Sequence, residues 1–141
     1  MKTLLKLSLA ATAVITAFGA QAQEFPSKDK TVTLVVPYAA GGPTDRVARD
    51  LAEALRKPLG VSVVVDNAAG AGSTIGTAKA ARATPDGYTL LLNHISMSTM
   101  PTMYRKLAFN VVNDFEYLGI INDVPMTLIA KPSMAANNYK E

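Results

Sequence analysis

Thr31 to Arg49 reads TVTLVVPYAAGGPTDRVAR, and its three parts decide the fold. From Thr31 to Pro37 the residues are β-branched or apolar on both faces, the pattern of a parallel strand covered on both sides rather than half in water. Ala39-Ala40-Gly41-Gly42 then makes a turn of small residues, and Pro43 suits the first position of a helix, where its missing N–H costs nothing. Between Pro43 and Lys57, Val47, Leu51 and Leu55 recur every four residues with Ala48 beside them. Arg46, Arg49, Asp50, Glu53 and Arg56 take the other side, so the stretch is an amphipathic helix, stopped by Pro58-Leu59-Gly60.

The same succession repeats downstream. Val61 to Val65 reads as a second buried strand, followed by Asp66-Asn67 and a second Gly-rich turn, Gly70-Ala71-Gly72. A short Ala-rich helix is expected from about Ser73 to Arg82, then a turn at Thr84-Pro85-Asp86-Gly87 with proline at its second position. Tyr88 to Leu92 is a third strand, Ser96 to Tyr104 a short helix, and Glu116 to Ile121 and Met126 to Ala130 two further strands. Strand and helix alternating with short links predict an α/β domain with a mostly parallel sheet and right-handed crossovers.

Upstream, Lys2 and Lys6 precede an apolar run from Leu7 to Phe18, and Ala20-Gln21-Ala22 supplies the small-x-small pattern of a signal-peptidase site. The run is shorter than the ~20 residues that cross a bilayer, so a cleavable export signal over residues 1–22 is expected rather than an anchor. Removing 22 of 141 residues, Lys2 and Lys6 among them, lowers the formal net charge from +3 to +1. A near-neutral surface gives no electrostatic basis for binding nucleic acid or an anionic membrane. Without cysteine there is no disulfide framework and no thiolate metal site. The acids and the single histidine do not cluster in sequence, so no metal or cofactor is expected.

Both Gly-rich turns follow a strand and precede a helix, which puts them beyond the carboxyl ends of a parallel sheet, where ligands bind. There the free N–H groups of a helix start, approached closely over glycine, suit a carboxylate or phosphate. Tight turns without a ligand are the plain alternative. Enzyme signatures are thin. Ile75 occupies the third-glycine position of a dinucleotide fingerprint, and neither a G-x-S-x-G elbow nor a phosphate loop ending in G-K-[ST] is present. A secreted α/β hydrolase stays as the alternative function, and a purely structural envelope protein would leave the paired loops unexplained.

Pro37-Tyr38-Ala39-Ala40-Gly41-Gly42-Pro43-Thr44-Asp45-Arg46-Val47-Ala48-Arg49 resembles the P-[FY]-x-x-G-G-x-x-D-x-x-A-R motif of the Bug, or TctC-like, family, the extracytoplasmic solute receptors of tripartite tricarboxylate transporters. Val65 to Gly76 is similar to the family's second motif, V-E-N-x-x-G-A-G-G-x-x-G, with Asp66 for the commoner Glu and Ser73 for the commoner Gly. Pro85 to Leu90 and Asn113-Asp114-Phe115 match two further stretches in order, while Ala108-Phe109-Asn110 departs from the frequent Pro-Tyr-Asp. The resemblance implies an α/β, type II periplasmic-binding-protein-like fold, of which this chain supplies the first lobe only, and that in part, over residues 23–131. It implies that residues 132–141 begin the crossover into a second lobe, an expectation that a helix-opening pattern at Asn138 to Glu141 shares, with a frayed polar tail as the plain alternative.

By the same resemblance, the ligand is a small carboxylate bound without catalysis and without a cofactor, and handed by a periplasmic monomer to a membrane permease. Backbone N–H groups of Tyr38, Ala39, Ala40, Gly41 and Gly42 would meet it from the first loop. Gly70, Ala71, Gly72 and Ser73 would do so from the second, with Asn93 and His94 completing the rim. His94 is either part of that rim or packed elsewhere. Asp45 has two readings. At the third position of a helix capped by Gly42 it stabilises the helix start and pairs with Arg49; alternatively it reaches the ligand through water or a ligand amine.

Overall fold

The computed structural model describes residues 25–125, 127, 129–135, 138 and 140; the expected export signal lies outside them, as does part of the expected strand at Met126 to Ala130. Strand β1 (Val32–Val36) is the centre of the sheet, with β2 (Val63–Asn67) on one side and β3 (Thr89–Leu91) on the other, all parallel. A central strand must satisfy its backbone on both edges and its side chains on both faces, which is why Val32, Leu34, Val35 and Val36 are all buried.

The two faces divide by residue parity. Val32, Leu34 and Val36 meet Ala48 and Ala52 of helix α1 (Pro43–Leu59), with Leu51, Leu55 and Leu59 closing the layer. The apolar stripe read from the sequence therefore docks where its spacing requires. Pro58 falls in the last turn of α1, and Gly60, in the left-handed region at φ 66°, ends it by returning its N–H to Arg56. Pro37, on the other parity, lies against Gly76 of helix α2 (Thr74–Ala81). A Cβ on Gly76 would stand 2.6 Å from the carbonyl oxygen of Ala68 and 2.8 Å from Pro37 Cα, so only glycine lets α2 come this close to the strand ends. Helix α3 (Ser96–Met103) follows β3 and buries Met100.

Two expectations need correction. The Ala-rich helix starts at Thr74, because Ala71–Ser73 form a separate 3₁₀ turn whose residues sit at positive φ. Glu116 to Ile121 forms no strand: it lies in solvent, with Leu118 80% and Ile120 93% exposed. Its apolar, β-branched residues suit a sheet, but strand structure needs a ladder partner, and none is present among the described residues.

Candidate functional site

The sheet order β2-β1-β3 sends the chain from β1 to one neighbour and returns it to the other. With right-handed crossovers, the loops leaving β1 and β2 then diverge to opposite faces and leave a crevice beyond the strand ends. The residues at that crevice come from three loops.

The first loop is fixed from within. Gly41 takes φ 83°, and its N–H donates to Asp45 Oδ2 at 2.8 Å. The same oxygen accepts Arg49 Nε at 2.9 Å. Asp45 is 3% exposed and stands third in α1 after the cap residue Gly42, which itself has extended geometry. The hydrogen bond from Arg49 and then that from the Gly41 N–H hold its carboxyl down at about 2, against the opposing effect of burial. The helix-start reading of Asp45 thus describes its observed contacts. It also changes the donor list: Gly41 N–H is spent inside the loop, whereas those of Ala39 and Ala40 donate to no group among the described residues. Ala39 and Ala40 are exposed, and Tyr38 and Gly42 half-buried.

The second loop is strained. Gly70, Ala71, Gly72 and Ser73 take φ of 134°, 45°, 59° and 73° in succession. Glycine does this freely, but for Ala71 and Ser73 the left-handed region costs roughly 1 kcal/mol each, a cost that persists where the surroundings impose it. Gly72 is held under Tyr104, whose hydroxyl would lie 2.0 Å from an added Cβ. Ser73 is buried, while Ala71 and Gly72 face solvent.

Hydroxyl and amide groups stitch the three loops together. Tyr38 Oη donates to Asn93 Oδ1 at 2.6 Å and lies 2.6 Å from Ser96 Oγ. Ser96 Oγ also lies 2.9 Å from Asn93 Oδ1 and 3.1 Å from Ser73 Oγ. Asn93 Nδ2 donates to Thr77 Oγ1 at 3.1 Å, and Thr77 Oγ1 donates in turn to the Ser73 carbonyl at 2.8 Å. The His94 ring stacks on Tyr38 with centroids 4.3 Å apart, and its Nδ1 accepts the Ser96 N–H at 3.3 Å. The structure therefore brings Tyr38, Ser73, Asn93 and His94 into one cluster.

Three members of this cluster and its supports were not singled out from the sequence: Ser96, Thr77 and Asn67. Thr77 stands one helical turn after Ser73 and Ser96 three residues after Asn93, spacings that could have flagged them. Asn67 Nδ2 donates to the Tyr38 carbonyl at 3.2 Å, and its Oδ1 accepts Arg49 Nη2 at 3.4 Å. Asp66, beside it, is turned away to an ion pair with Lys79.

The crevice is thus lined by neutral polar groups bonded to one another and by one aromatic stack, and Asp45 pairs its Oδ2 with Arg49 and the Gly41 N–H while its buried Oδ1 has no partner among the described residues. Such a lining can accept an anion without like-charge repulsion. The Ser96 hydroxyl lies on an amide oxygen rather than on the imidazole, so it is not arranged as a nucleophile with a base. Among the described residues no three His, Asp or Glu side chains gather to hold a metal.

Comparison with known proteins adds independent support. The sequence profile of the TctC family, described as the tripartite tricarboxylate transporter family receptor, matches residues 47–141. A protein of the ttuE–ttuC′ intergenic region of Agrobacterium vitis is 44% identical over 131 residues, which are 92% of this chain and 37% of the relative. Among solved structures, the periplasmic binding protein BugD is 52% identical at TM-score 0.61, over 64% of this chain and 30% of that one. MatC from Rhodopseudomonas palustris with bound malate is 41% identical at TM-score 0.60, over 64% and 31%. The chain spans little more than a third of the length of the curated relative.

Proposed function

The chain belongs to the tripartite tricarboxylate transporter receptor family, and we propose that its full-length form is an exported periplasmic receptor that captures a small carboxylate and delivers it to the membrane components of such a transporter. The observation that carries this reading is the three-loop crevice beyond the strand ends, where a neutral hydroxyl–amide network ties the loops together and the Ala39 and Ala40 N–H groups donate to no group among the described residues. Carboxylate oxygens accept hydrogen bonds and nothing else, so unspent backbone donors beside an acid already paired with Arg49 suit that group. The malate on MatC supports the same ligand class for this chain.

The parts of the chain take their roles accordingly. Residues 1–22 are an export signal cleaved after Ala22, residues 23–131 part of the first of two lobes, and residues 132–141 the start of the crossover to the second. Ligand contacts come from Ala39 and Ala40 of the first loop, from the second loop around Gly72 and Ser73, and from the Asn93–His94 rim. One lobe covers only one side of a ligand, so tight capture belongs to the full-length receptor.

Calorimetric titration of the full-length receptor with L-malate, succinate and adipate tests the reading. Binding of at least one of them at about micromolar Kd or tighter, near −8 kcal/mol, is expected. Failure of every carboxylate, alongside binding of a neutral or cationic solute, would reject it.

A further inference from the structure

The N–H groups of the first loop point in different directions, and what aims them is decided elsewhere. Along β1 the carbonyl groups alternate between neighbours: Val36 accepts the Ala68 N–H at 2.8 Å on the β2 side, and Val35 accepts the Leu92 N–H at 3.0 Å on the β3 side. Tyr38, two residues beyond Val36, continues the β2 direction, but among the described residues no backbone donor meets its carbonyl. The Asn67 side-chain amide does so instead, at 3.2 Å.

Three facts then fix the opposite edge of that peptide. The Tyr38–Ala39 bond is trans, since the only cis bond among the described residues is Phe25–Pro26, and in a trans peptide N–H and C=O point opposite ways. With the carbonyl held toward β2, the Ala39 N–H faces the β3 side. There the Tyr38 hydroxyl meets Asn93 and Ser96 and the His94 ring stacks. Among the described residues this N–H has no acceptor.

We propose that Asn67 is a positioning residue for ligand capture: by holding the Tyr38 carbonyl it aims the Ala39 N–H into the crevice as the first loop's carboxylate donor. This rests on the receptor reading above and adds to it the identity of the donor and of the group that orients it.

The choice of asparagine follows from its partners. Arg49 can only donate and the Tyr38 carbonyl can only accept, so the bridging residue must accept at one atom and donate at the other. That requirement also fixes which way the amide faces. Arg49 is in turn anchored by Asp45, which holds the Gly41 N–H. The D-x-x-A-R spacing from Asp45 to Arg49 and the asparagine after Asp66 are thereby joined in one brace across the first and second loops.

Asn67→Asp is the discriminating substitution in the full-length receptor. It keeps the side-chain shape and the Arg49 contact, but presents the Tyr38 carbonyl with an acceptor instead of a donor. Ala39→Pro deletes the N–H directly. Calorimetry with L-malate, succinate and adipate measures affinity, and thermal unfolding of the ligand-free protein measures stability. Each variant is expected to weaken binding of the carboxylate that the parent binds by at least tenfold, with a cooperative thermal transition showing that the Asn67→Asp protein still folds. Because both act through one N–H, the double variant should lose no more than the worse single one, a non-additivity that a general loss of packing would not produce. A folded Asn67→Asp protein that binds as tightly as its parent, or losses that multiply in the double variant, would overturn the proposal. If the parent itself binds no carboxylate, it is the receptor reading that falls, and that outcome is visible before any variant is compared.

Discussion

Gly76→Ala should destabilise the fold even though it improves the local helix former. In a helix interior alanine is preferred over glycine by about 0.8–1.0 kcal/mol, and Gly76 has an ordinary helical backbone with no positive φ to forbid the change. Against this stands the space available. The new Cβ would lie 2.6 Å from the Ala68 carbonyl oxygen and 2.8 Å from both Cα and Cβ of Pro37, where ordinary contact begins at 3.4 Å. All three obstacles belong to backbone or a proline ring at the ends of β1 and β2, so none can rotate aside, and α2 must lift instead. Overpacking of this kind costs roughly 1–3 kcal/mol, and three simultaneous contacts argue for the upper half of that range. The net expectation is a loss of about 1–2 kcal/mol, which in a domain near 100 residues lowers the melting temperature by roughly 4–8 °C per kcal/mol. Urea unfolding should show a lower midpoint with the m-value unchanged. A Gly76→Ala protein as stable as its parent, or more so, would mean that helix propensity wins and that α2 does not lie against Pro37 and Ala68. The seat of the second loop would then be wrong as well.

Tyr38→Phe removes a hydroxyl shared by Asn93 and Ser96; a stability loss of about 1–2 kcal/mol by chemical denaturation is expected, with carboxylate affinity in the full-length receptor falling at least tenfold. Gly72→Ala places a methyl group on Tyr104 and a side chain at φ 59°. It should cost about 1–2 kcal/mol and change the tyrosine near-ultraviolet circular dichroism. The pH dependence follows from Asp45. Its folded pKa of about 2 lies below the ordinary 3.8, so the stabilisation it brings is complete above the unfolded value and is lost as pH falls from about 4 through 2. Unfolding midpoints measured across that window should fall less steeply in Asp45→Asn than in the parent, and identical slopes would refute the assignment.

The strands and helices with a clear period were legible in the sequence. The buried run of β1 and the four-residue spacing of Val47, Leu51 and Leu55 each have one physical interpretation, and both appear as expected. Residues 116–121 show where that logic stops, because β-forming residues specify a strand only when a partner edge is in reach. At the site, the two Gly-rich loops could be found from composition and from their place after strands. What could not be read was the internal use of their donors, since Gly41 N–H is consumed by a side chain four residues on, and Asn67, Thr77 and Ser96 acquire their contacts only when separate loops meet. Asp45 is the instructive residue: its position after the Gly42 cap was visible, but its burial and its hold on the first loop were not.

The most direct test of the carboxylate site is the crystal structure of the full-length receptor grown with a carboxylate that calorimetry has shown to bind. The expected density has a carboxylate oxygen within hydrogen-bond distance of the Ala39 N–H, in the crevice bounded by the second loop, Asn93 and the Tyr38–His94 stack. A carboxylate lodged elsewhere, for instance in the groove between α2 and Lys106–Phe109, with the Ala39 N–H facing only water, would contradict the assignment.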